Sequence, residues 1–108
     1  MMLLGIVGLI IAAIAAGTLL YFAGKLTITA LKKYKSKKKS KILAGFVKDI
    51  IKDAPTMHMD DLPDDEDIII AEYDEEEDEL VQDIQISEDN DDKVSSILKQ
   101  NGGIVVFD

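Results

Sequence analysis

Seven lysines and no acidic residue fall within residues 31–46, LKKYKSKKKSKILAGF. Lysines at that density do electrostatic chemistry. Each ammonium is a point charge suited to anionic headgroups, and a basic segment beside a membrane gains about 1 kcal/mol per lysine at an anionic leaflet. Lys25, Lys32, Lys33, Lys35, Lys37, Lys38, Lys39 and Lys41 are therefore the candidate lipid-binding residues. No arginine is present, so the bidentate fork that reads phosphates and base edges is missing. A lysine run without RNA-stacking motifs, joined to an acidic remainder, argues against a nucleic-acid partner.

Other reactive groups are scarce. The chain has no Cys and one His. Met57, His58 and Met59 are soft donors, but one His with two Met is no recognised metal set. A calcium-binding loop built from such acids needs a Gly at its sixth position and a Glu at its twelfth. SEDNDDKVSSIL has neither, and DDLPDDEDIII fails as well. With most carboxylates in solvated runs and no phosphate-cradling glycine loop, no catalytic residue is assigned, no cofactor is expected and no enzymatic activity is expected.

The charge is divided along the chain. Residues 1–48 carry nine lysines and no acid; residues 49–108 carry three lysines and all 21 acids, for a net of −18 within a whole-chain −9. Such asymmetry reads as separate functional segments. Residues 1–24 hold no charge at all, and about 20 apolar residues cross a bilayer core. The sequence therefore predicts a transmembrane helix with its interfacial extension over 1–31, then a polybasic juxtamembrane segment over 32–41. A cleaved signal peptide fits less well, because no basic residue precedes the apolar run. Lysines after the span predict an outside N-terminus and a cytoplasmic C-terminus. Gly8, Ala12 and Ala16, four apart, are candidates for helix–helix packing and self-association.

Ser40 is a suitable N-cap, and Ile42, Leu43, Phe46, Val47, Ile50 and Ile51 recur at helical spacing before Pro55. This predicts an amphipathic helix over 42–54 lying on the membrane surface. An acidic linker follows over 55–67. Residues 68–108 form an acidic tail or a marginal mini-domain. Ile68, Ile69 and Ile70, and the terminal run Ile104, Val105, Val106 and Phe107, are candidate partner-binding strands. A helix after Asn90 or Asp91 that stops at Gly102 or Gly103 would complete a small ββαβ element.

The expected fold class is mainly α: a single-pass span, a basic amphipathic helix and a largely disordered acidic tail. The expected function is a membrane anchor or adaptor whose tail recruits a protein with a basic surface. The rival is an oligomeric membrane-structural or remodelling component, such as a small viral or phage membrane protein or a holin-like pore former.

Overall fold

Two runs rich in apolar and β-branched residues, KILAGF and IIIAEYD, pair as the central strands of a six-stranded sheet. The computed structural model describes residues 3–16, 20–52, 67–77 and 79–107. In chain order the elements are α1 (Leu3–Ala15), β1 (Leu20–Tyr21), α2 (Ile28–Tyr34), β2 (Lys41–Phe46) and α3 (Val47–Ile51). They continue with β3 (Ile68–Asp74), β4 (Glu79–Leu80), β5 (Gln85–Ser87), α4 (Asp92–Gln100) and β6 (Ile104–Phe107). The strand order is β1-β5-β3-β2-β6, with β4 also on β3. All pairings are antiparallel except β1 with β5.

Helices cover both faces of this sheet. On one face Ile6 and Ile10 of α1 and Val47, Ile50 and Ile51 of α3 pack with Leu43, Ile69, Ala71 and Tyr73. On the other, Leu31 of α2 and Val94 and Leu98 of α4 pack with Ile42, Ala44, Phe46, Ile68 and Ile70. A strand buried on both sides has no alternating polar face, so it reads as a continuous apolar run. That is why residues 41–46 form a strand where the spacing predicts a helix. A short apolar run satisfies either period, and burial on two faces decides it. Among the described residues of the expected 42–54 helix, only α3, at 47–51, is helical. Ile42, Leu43, Phe46, Val47, Ile50 and Ile51 are all core residues and present no stripe to a bilayer.

The expected membrane span is also overturned. α1 has 13 residues, about 20 Å of helix against a hydrocarbon core of about 30 Å. Among the described residues no helix is long and apolar enough to cross a membrane. The apolar N-terminal stretch is shared between a core helix and an edge strand: after α1, Leu20 and Tyr21 pair with Gln85 and Ile86. Ile6 and Ile10 are buried against the sheet, so their hydrophobicity is spent inside the protein. The topology inferred from the lysines, N-terminus out and C-terminus in, fails with the span.

The tail is not a disordered appendage. β3 is the middle strand of the sheet, and β2 lies between it and β6, so residues 68–107 share one sheet with residues 20–46 and form no separate ββαβ unit. The mainly-α expectation becomes a mixed α/β sandwich. The 55–66 portion of the acidic linker, with Met57, His58 and Met59, lies outside the described residues.

α4 ends at a turn in which the backbone N–H groups of Asn101 and Gly103 both donate to the Leu98 carbonyl. Gly102 and Gly103 have φ of 80° and 98°, which L side chains rarely adopt. A Cβ on Gly103 would overlap the Asp49 carboxylate of α3. Gly103→Ala should therefore cost at least about 2 kcal/mol, read as a lowered denaturant midpoint. Gly102→Ala, with open space around it, should cost less.

Candidate functional site

One residue on the α2/α4 face of β3 breaks the apolar pattern. Ile68, Ile70 and Glu72 alternate on that face, and Glu72 is fully buried. A buried carboxylate is costly unless hydrogen bonds replace its water. Here the turn after α2 supplies them. The backbone N–H of Ser36 donates to Glu72 Oε2 at 2.8 Å, and that of Lys37 at 2.9 Å. The Ser36 hydroxyl donates to Oε1 at 2.7 Å, and the Ser40 hydroxyl donates to Oε2.

The last donor comes from an irregular stretch of the sheet. β4 and β5 pair with the same edge of β3, interrupted at Val81–Ile84. The interruption lies opposite Glu72, where Val81 N–H donates to the Glu72 carbonyl. It turns Gln82 inward, as bulges do. Gln82 Nε2 donates to Glu72 Oε1 and to the Tyr34 carbonyl, each at 2.7 Å. The Tyr34 hydroxyl donates to the Asp83 carbonyl at 2.9 Å.

Burial by itself would raise the pKa of Glu72. The bonds from Ser40, the Lys37 backbone, Ser36 and Gln82 outweigh it and hold the pKa at about 2. The carboxylate is therefore ionised throughout the physiological range. Burial, then the charge of Glu72, pushes the Tyr34 hydroxyl upward, so it stays a donor.

The consequence is a fixed turn that carries lysines. α2 starts at Thr27, whose hydroxyl accepts from Ala30 N–H at 3.0 Å, and Leu31 anchors it in the core. Lys32 and Lys33 are exposed in its last turn, and Lys37, Lys38 and Lys39 are exposed on the turn beyond. Lys35 is half-buried. Ser40 is no helix cap; its backbone N–H donates to the Lys37 carbonyl at 3.3 Å and closes the turn, which leaves its one hydroxyl proton for Glu72. Lys41 begins β2 and pairs with Glu75 at 3.1 Å, a half-exposed pair of small energetic weight. Lys25 is exposed ahead of α2.

Lys32 through Lys41 thus run from the last turn of α2 across the turn beneath Glu72 into β2, with Lys32, Lys33, Lys37, Lys38 and Lys39 exposed. Other sequence candidates are dispersed. Ile68, Ile69 and Ile70 are buried in the central strand, closed to any partner while the sheet is intact. Ile104 to Phe107 form β6 at the sheet edge, with Val106 exposed. Gly8 and Ala12 lie on the outer side of α1, and a Cβ added at Gly8 would meet nothing within 4 Å. Ala16 is exposed just past the helix.

Sequence reasoning missed Glu72, Ser36, Ser40 and Gln82. The available signal was a lone acid inside IIIAEY, in register with Ile68 and Ile70 on a two-residue period. A shallow groove of about 430 Å³ lies elsewhere, lined by Tyr21, Phe22, Gly24, Glu88 and Asp89. Among the described residues no three His, Cys, Asp or Glu side chains are grouped to hold a metal. Comparison of the chain with known proteins gives no match to a family model, to a curated protein or to a solved structure.

Proposed function

We propose that this protein is a non-catalytic adaptor whose lysine turn docks reversibly on an anionic phospholipid surface without spanning it. The observation that carries this reading is the caging of Glu72: five donor groups of the turn and of Gln82 fix the backbone beneath exposed Lys37, Lys38 and Lys39. A preformed turn loses little conformational freedom on docking. Its projecting ammonium groups match the diffuse charge of a headgroup layer better than the shaped phosphates of a nucleic acid. Tyr34, the aromatic residue within the run, is bonded inward and half-buried, so it is not free to stack on a base. The recruiting element in this reading is β6, whose outer edge has no strand neighbour among the described residues. An extended segment with a basic flank would add there, drawn by the acidic remainder of the chain.

The test is co-sedimentation with phosphatidylcholine vesicles, with and without phosphatidylserine. Binding should require the anionic lipid and weaken with salt. The triple variant Lys37→Gln, Lys38→Gln, Lys39→Gln should bind roughly 100-fold more weakly, at about 1 kcal/mol per lysine. Equal binding of the triple variant and the parent, or equal binding to both vesicle types, would sink the reading.

A further inference from the structure

We propose that Ser36 is a phosphorylation site that switches the lysine turn off. This rests on the docking reading for its consequence but not for its geometry. Ser36 is exposed as a residue, with only its Oγ turned in to Glu72, so a local opening of the turn presents it to a kinase, whereas Ser40, four residues on in the same lysine run, is buried. Lys32, Lys33, Lys35, Lys37, Lys38 and Lys39 flank Ser36, the charge pattern that fits a protein kinase with an acidic peptide groove. In the reaction the Ser36 Oγ attacks the γ-phosphorus of a nucleoside triphosphate. An Oγ–P bond forms, the bond between the γ-phosphorus and the bridging oxygen breaks, the diphosphate leaves, and the hydroxyl proton passes to the kinase's base.

The product cannot keep the present arrangement. The Ser36 hydroxyl now donates to Glu72 Oε1 at 2.7 Å. As a phosphate ester, Oγ has no proton to donate, and a group carrying close to two negative charges is attached within reach of a buried carboxylate. Like charges so close disrupt. The Ser36 and Lys37 N–H bonds to Glu72 open, and the freed turn folds its lysines onto the new phosphate. The exposed basic surface loses both geometry and about two units of charge.

The experiment has three arms. Folded and urea-unfolded chains are first incubated with ATP and a basic-site-directed kinase, and the products are mapped by mass spectrometry. The proposal expects Ser36 alone to be modified in the folded chain, Ser36 and Ser40 in the unfolded one, and no modification of folded Ser36→Ala. No modification of folded Ser36, or equal modification of Ser40, overturns it. Amide exchange is then measured on protein carrying phosphoserine at 36. Exchange at Ser36 and Lys37 should accelerate at least about 10-fold; unchanged protection overturns the switch. Vesicle binding of that protein should fall roughly 30-fold; undiminished binding overturns it too. If the unmodified chain fails to bind anionic vesicles, the docking reading fails, while the mapping and exchange arms still decide whether Ser36 controls the turn.

Discussion

Replacing Glu72 with Ala should destabilise the protein by at least about 4 kcal/mol, which is most of the stability of a small domain. The substitution deletes the shared acceptor of five donors; Gln82 Nε2 keeps the Tyr34 carbonyl and the Ser40 hydroxyl can turn to the Lys37 carbonyl, while the Ser36 and Lys37 N–H groups and the Ser36 hydroxyl lose their partner. Hydrogen bonds to a charged group contribute about 1.5–3 kcal/mol each, and buried donors left alone cost about 1–3 kcal/mol. Water entering the exposed side of the turn offsets part of that loss. Glu72→Gln keeps one carbonyl oxygen but sets an amide donor against the Ser36 and Lys37 N–H groups, so roughly half the loss is expected. Urea denaturation measures both. A loss below about 1 kcal/mol for Glu72→Ala would mean that the cage does not hold the turn.

The same carboxylate imposes a pH dependence of definite sign. Its folded pKa of about 2 lies below the ordinary 4.5, so the folded state binds the proton more weakly than the unfolded chain. The resulting stabilisation, about 3 kcal/mol, is fully present above pH 4.5 and is lost as pH falls towards 2. Glu72→Gln should abolish that component of the acid transition. Denaturation midpoints between pH 6 and pH 2 should thus converge for parent and variant at the acid end.

Ile10→Asp should be as damaging, at about 4 kcal/mol or more. Ile10 is fully buried among Ile69, Tyr73, Ile84 and Ile86, and none of these side chains is a cation that could pair with an introduced carboxylate. Ala12→Asp, two residues on but on the exposed side of α1, should cost less than about 1 kcal/mol. The contrast is the informative quantity. A helix surrounded by lipid would reject both charges, whereas a helix packed on a sheet rejects only the inward one. Equal penalties at the two positions would show that α1 does not cover the sheet.

Local chemistry was legible in the sequence. The density of lysine between residues 32 and 41, the absence of Cys and Arg, the helix over 92–100 and its stop at Gly102 and Gly103 are all set by residue type and near-neighbour spacing. Tertiary structure decided what those features belong to. A run of uncharged residues satisfies a bilayer and a sheet face equally well. α1 became a core helix because the buried faces of β2 and β3 needed a cover, and nothing within residues 1–24 records that need. KILAGF fits both periods, and its neighbours β3 and β6 made it a strand. Glu72 looked like one more acid beside an acidic run, because the groups that make it different, Ser36, Ser40 and Gln82, lie at sequence separations from 10 to 36 residues. By itself the sequence determined where the charge is. The fold determined which charge is caged and which faces outward, because burial is a property of contacts between distant segments.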